Sequence, residues 1–166
     1  MKEGGIPMFR AMRRIKQQLS EAECIKVLKE GKRGTLAVCG DDGYPYAIPI
    51  DYHYDAERGS VFFHGAGEGH KIDSIRRSDK VTFNVLSEGW KENPDNWWLK
   101  FNSVTLFGRI HIVEDEALKK QELYAIGLKY YPTKEAVDAI VQRTIDHVCI
   151  LELKIEHMSG KQVNEK

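Results

Sequence analysis

The chain has 166 residues, 42 % of them hydrophobic and 30 % charged, with 25 Lys plus Arg balancing 25 Asp plus Glu. That length suits one domain around a single core, residues 1–166, and the neutral balance excludes a general attraction to nucleic acid or to an anionic membrane. No segment approaches the roughly 20 apolar residues that span a bilayer, and the basic N-terminus lacks the apolar core of a secretory signal.

Cys24, Cys39 and Cys149 lie far apart and form no CxxC pair. They read as reduced, mostly buried thiols of a cytoplasmic protein.

Residues 1–18 are polar and basic and read as an N-terminal arm. Ser20-Glu21-Ala22-Glu23 has the form of a capping box. Cys24, Ile25 and Leu28 then give an apolar helix face, and Gly31 is expected to end the helix in the left-handed conformation. Gly34 to Cys39 is a short apolar strand, and Asp41-Asp42-Gly43 is a turn. Tyr44 to Tyr54 continues as a strand containing Pro45 and Pro49. Proline cannot donate to a sheet ladder, so this strand is expected to be bulged or at an edge. After a turn at 55–59, Ser60 to His64 gives a third strand, and the three form a meander of hairpins.

Gly65 to Gly69 is glycine-rich, His70 to Ser78 reads as a short helix, and Val81 to Leu86 as a strand. Glu88 to Trp98 is an irregular loop carrying Trp90, Trp97 and Trp98, and suits a protein interface or the face of a flat ligand. A long strand from Lys100 to Val113 is expected to bend at Gly108. Two helices follow, Glu116 to Tyr130 and Thr133 to about Asp146, the second capped by Thr133. Val148 to His157 alternates as a last strand. Strands outnumber helices and are joined by hairpins, which implies an antiparallel barrel with peripheral helices.

The segment Gly65-Ala66-Gly67-Glu68-Gly69-His70-Lys71 carries the clearest chemistry. Glycines admit close backbone approach, a helix N-terminus presents free N–H groups, and Lys71 adds a charge suited to phosphate. The alternative is a flexible loop before a solvated basic helix. The glycine spacing fits neither the Walker nor the Rossmann fingerprint. His64 ends a strand just before this loop, and a lone histidine there is either structural or functional. No HxH, HExxH or Cys/His cluster suggests a metal site, and no GxSxG suggests a nucleophile.

The segments MFRAMRR, DDGYPYAIPIDYHY, VFFHGAGEGHKIDSIRRSDKVTFNV, FNSVTLFGRI and IEHMSGK, in that order, resemble the nitroimidazole-resistance (Nim) type of the pyridoxamine-phosphate-oxidase-like superfamily. The resemblance implies a mainly β fold, a six-stranded split barrel that forms a homodimer with FMN at its interface. By matching motif positions, Tyr46, Ala47, Ile48, Pro49 and Ile50 would run along the flavin ring. His64, Gly65 and Ala66 would lie near the flavin, His70 and Lys71 near its phosphate, and Ser103 would be a further flavin contact. His64 is the candidate catalytic residue. The Trp90-to-Trp98 stretch matches no family pattern, nor do the substrate-binding residues of true pyridoxamine-phosphate oxidases, which argues against vitamin B6 oxidation. The expected activity is FMN-dependent reduction of a small flat acceptor such as a nitroimidazole. The alternatives are a flavin-storing or flavin-sensing module without turnover, and a split-barrel relative that binds haem or a deazaflavin.

Overall fold

A computed structural model describes residues 9–95 and 97–164. Six strands form an antiparallel closed barrel: β1 (Arg33–Cys39), β2 (Pro45–Asp55), β3 (Ser60–Gly65), β4 (Lys80–Leu86), β5 (Lys100–Ile112) and β6 (Cys149–Asn164). Around the barrel their order is β1-β2-β3-β6-β5-β4, and β4 pairs back onto β1. Among the described residues four α-helices lie outside the sheet: α1 (Glu21–Glu30), α2 (His70–Arg77), α3 (Glu116–Tyr130) and α4 (Lys134–Thr144). Among the described residues no helix is long and apolar enough to cross a membrane.

The period-two pattern of the strands explains two cores. Inward residues Leu36, Tyr52, Val61, Phe63, Phe83, Val104, Leu106 and Leu153 fill the barrel. Phe62 and Ile150 point the other way and pack beneath α3 and α4 with Val113, Leu123, Ile126, Val137 and Val141. β3 is therefore buried on both faces from Ser60 to Phe63, which accounts for its unbroken apolar run.

The barrel is not laddered all round. β2 pairs with β1 from Pro45 to Asp51, but with β3 only from Tyr52 to Asp55. The first half of β2 thus keeps one edge unpaired, and both prolines lie in it without any break in the β1 register. Of the two expectations for this strand, edge and bulge, the edge is the one realised. Ile72 and Ile75 of α2 join the barrel core beside it, as do Val27 and Leu28 of α1.

Local signals behave as the sequence suggests at most helix ends. Ser20 and Glu23 form a complete capping box, and Thr133 caps α4. Asp42 and Gly43 both take positive φ in the β1–β2 turn.

Four expectations are corrected. Gly31 has φ −65° and ψ 136°, so it does not end α1 in the left-handed region. Space decides that position instead: a Cβ there would stand 2.7 Å from both the Tyr52 hydroxyl and a Val85 methyl. The last strand runs to Asn164 rather than stopping at His157, because β5 is long enough to pair with it from Lys100 to Ile112. Residues 9–18 are not a free arm: Phe9 stacks on His157 with centroids 4.6 Å apart, and Gln18 bridges to Lys161. Residues 1–8 lie outside the described part. Of the three cysteines only Cys24 is buried, while Cys39 is exposed and Cys149 half-buried.

The bend expected at Gly108 is a register shift between Phe107 and Gly108 opposite β6. A Cβ at Gly108 would collide with the backbone carbonyl of Lys154. Gly108→Ala should therefore cost about 1–3 kcal/mol, the usual range for overpacking. Urea unfolding measures it, and an unchanged midpoint would mean that β6 yields freely at this point.

Candidate functional site

The alternation that buries Phe62 sends His64, two residues on, to the same outer side of β3. β3 then leaves the sheet as the glycine loop. Gly69 has φ +100°, a conformation that side-chain-bearing residues rarely adopt, and it turns the chain into α2. No side chain caps α2, so the N–H groups of its first turn stay open.

Lys71, in that first turn, is half-buried. Its Nζ stands 2.8 Å from where a Cβ on Gly65 would be, so a side chain there would shift the ammonium end. Among the described residues Lys71 has neither an ion pair nor a hydrogen-bond partner. Burial pushes its pKa down, and the nearby Cys149 thiol opposes that shift. A half-buried cation without a counter-charge, over a glycine loop and beside an uncapped helix N-terminus, can accept an anionic group such as a phosphate.

His70 is engaged differently. Its ring stacks on Tyr46 at 4.2 Å, and its Nε2 lies 3.3 Å from Asp41 Oδ2. Arg77 holds the other Asp41 oxygen at 2.7 Å, so Asp41 ties α2 to the β1–β2 turn. Tyr46, Ile48 and Ile50 are partly buried along the unpaired half of β2, while Ala47 and Pro49 are exposed on the opposite face.

The structure thus brings Tyr46, His64, Gly65, Ala66, His70 and Lys71 to one end of the barrel opening. Ser103 stands round the barrel from these residues, on β5: it pairs with Leu86, while its neighbour Val104 pairs with Val85, Val85 with Gly34 and Gly34 with Ile50, three ladders or ~14 Å along the hydrogen-bonding direction. There, Ser103 accepts a hydrogen bond from Asn84 Nδ2, which also donates to the Val104 carbonyl and to Thr105 Oγ1.

Sequence reasoning did not anticipate the helical wall of the site. His64, Gly65 and Ala66 border a cavity of about 610 Å³ whose other walls are Leu123 and Ile126 of α3 and Ile140 and Val141 of α4. The amphipathic spacing of the two helices shows that they bury a face, but not where they leave a gap. α3 is fastened to β2 at its end. Tyr130 donates to the Lys32 carbonyl and accepts from the Tyr52 N–H at 3.0 Å. Lys129 Nζ donates to the Tyr52 carbonyl at 3.0 Å and sits 3.8 Å over the Tyr52 ring. Near the middle of α3, fully buried Glu122 places Oε2 2.8 Å from His53 Nδ1.

Burial lowers the His64 pKa from its ordinary value, with the Lys71 charge acting the same way and Asp51 opposing. The shift favours the neutral imidazole. Among the described residues no group of three or more His, Cys, Asp or Glu converges on a metal position.

Comparison with known proteins gives concordant results. A family model described as pyridoxamine 5'-phosphate oxidase matches residues 20–162. No curated protein matches. Among solved structures, a candidate 5-nitroimidazole antibiotic resistance protein from Bacteroides thetaiotaomicron VPI-5482 is similar at 17 % identity and TM-score 0.72, over 87 % of this chain and 86 % of that one. An FAD-binding protein from Mesorhizobium loti is similar at 22 % identity and TM-score 0.65, over 89 % and 98 %. An FAD and haem binding protein from Mycobacterium smegmatis is similar at 18 % and 0.70, over 90 % and 74 %.

The α3 anchor yields a pH prediction. Burial pushes Lys129 down to about 8 from 10.5. Between those values the unfolded chain holds a proton that the folded chain has lost, so this group makes stability rise with pH from about 8 to 10.5. Below that window its buried charge is a penalty. Urea midpoints of wild type and Lys129→Met at pH 8, 9 and 10 should diverge, with wild type gaining on the variant. A constant difference across the window would show that Lys129 titrates normally.

Proposed function

Because the chain belongs to the pyridoxamine 5'-phosphate oxidase family, we propose that it is a cytoplasmic FMN-binding homodimer that reduces a small flat acceptor such as a nitroimidazole. The observation that carries this reading is Lys71, the half-buried cation without a partner at the open end of α2. The FMN phosphate fits that cradle. The flavin ring would then run along Tyr46 to Ile50, where β2 has an unpaired edge. Gly65 and Ala66 would face the ring, and His70, held against Tyr46, would position both.

Ser103 would be a further flavin contact in a site that two copies of the chain line together. The face around it has the character of an interface: Thr82, Asn84, Ser103 and Thr105 are partly buried, neutral and uncharged. All three cysteines are free, as suits a reducing compartment.

Bound flavin supplies the redox chemistry, and the protein supplies binding, orientation and electrostatics. His64 is the residue placed to touch the acceptor. With its pKa lowered it donates a hydrogen bond as the neutral ring at pH 7, and supplies a proton only in more acidic solution.

The cofactor is tested by mass spectrometry of what the purified protein releases, in wild type and in Lys71→Ala. FMN is expected from wild type. The variant should lose about 1.5–3 kcal/mol of FMN affinity, the range for hydrogen bonds to charged groups. Riboflavin, which lacks the phosphate, should bind both proteins alike. Equal loss of riboflavin would make Lys71 a folding residue. Release of FAD would extend the ligand beyond one phosphate, and a Soret band in place of the flavin spectrum would favour haem.

His64→Ala should keep the flavin yet slow flavin reoxidation by a nitro compound about 10²-fold, the low end for loss of a general acid. Wild type should speed up as pH falls below the ordinary imidazole range, and the variant should not. Stopped-flow traces from pH 5 to 8 decide this, and an unchanged rate and profile would leave His64 a structural residue.

A further inference from the structure

The cavity beside His64 has a chemistry of its own. At about 610 Å³ it falls within the range of small-molecule sites, and its helical walls are aliphatic. No lysine or arginine lines it. The nearest cation on α3, Lys129, is already spent on the Tyr52 carbonyl and ring. The one carboxylate on the lining, Asp51, is held by Arg33 Nε at 2.7 Å. The Tyr130 hydroxyl is taken by backbone groups of Lys32 and Tyr52, and the Thr144 hydroxyl donates to the Ile140 carbonyl at 2.8 Å. Three polar side chains on the lining remain unused: among the described residues His64, Tyr131 and His147 have no side-chain hydrogen-bond partner.

Lys71 reaches the Gly65 border of the cavity, but on the flavin reading its charge is taken up by the FMN phosphate, so a second anion would lose its hydration and gain no free counter-charge, which is costly. An uncharged flat ligand would bury its faces against Leu123, Ile126, Ile140 and Val141, and its oxygen atoms could accept from one imidazole or both. We propose that the α3–α4 cavity is the acceptor pocket, and that it selects uncharged aromatic or quinoid molecules bearing oxygen acceptors over phosphorylated ones. This rests on the flavin reading, since Gly65 and Ala66 are the shared border between ring and pocket. It also separates this chain from the phosphorylated substrate in the family's name.

The test is calorimetric titration of the purified full chain with menadione and, separately, with pyridoxine 5'-phosphate, alongside the flavin content of each sample. Wild type should bind menadione and show no comparable affinity for pyridoxine 5'-phosphate. Ile140→Trp, which fills the pocket from α4, should weaken menadione at least about tenfold, or about 1.4 kcal/mol. It should leave the flavin content unchanged. Thr144→Leu fills the same space with less bulk and should weaken menadione in the same direction, so it decides the matter should the tryptophan variant fail to fold. Menadione binding that is unchanged in the folded variants, or pyridoxine 5'-phosphate binding as tightly as menadione, would overturn the proposal. A protein that carries no flavin, yet loses menadione in these variants, would keep the pocket and remove the flavin reading. A flavin-loaded protein indifferent to both substitutions would do the reverse.

Discussion

The structure depends on the two-sided burial of β3. Val61 and Phe63 face the barrel, and Phe62 faces α3 and α4. Each side is closed by a different set of elements, so neither face of the strand can move without opening a core. A one-residue slip would exchange Phe62 with Phe63 and put polar neighbours inside. Register is therefore fixed up to the point where burial stops, and it stops at His64. The histidine inherits its direction from the alternation, and its exposure from the end of the helical cover. The glycine loop begins one residue later because no side chain is needed there to hold the strand.

That arrangement leaves two ionisable side chains, His64 and Lys71, without a partner at one end of the barrel. Elsewhere the outer face of the sheet settles its charges in place. Glu152 accepts from Ser60 at 2.8 Å and lies 3.1 Å from His111, Glu122 meets His53, and Arg109 binds both Asp79 and Glu156. Around the opening the pattern changes. Lys71 is half-buried without a partner, His64 stands exposed without one, and β2 leaves backbone groups unpaired from Pro45 to Asp51. Groups left in that condition cost free energy in the isolated chain, and a ligand that satisfies several of them together recovers it.

The barrel was legible from the sequence because its signals are local. Alternation fixes the strands, Ser20 and Glu23 fix the start of α1, and the paired prolines mark an edge. The misread positions were governed by contacts distant in sequence. Gly31 looked like a helix stop, but its reason is the Tyr52 hydroxyl and Val85. β6 looked short because nothing between His157 and Asn164 declares a strand until β5 is laid beside it. The anion cradle was readable because glycines, helix start and lysine fall within seven residues. The α3–α4 wall was not, since it needs two helices to meet a strand 59 and 76 positions earlier in the chain (His64 against Leu123 and Ile140).

The two unpartnered groups are also coupled to each other. Burial is the main cause of the lowered His64 pKa, and the Lys71 charge adds to it. An anion bound at Lys71 would cancel the second contribution while leaving the first. The His64 pKa would then rise part of the way back, and the proton would become more available once the cradle is filled. By linkage, protonating His64 would favour the anion to the same extent. The Lys71 ammonium occupies the space that a side chain at position 65 would approach, 2.8 Å from its Cβ position. A larger residue there would push the charge away. It would weaken the anion site and release His64 from the electrostatic part of its shift with the same displacement.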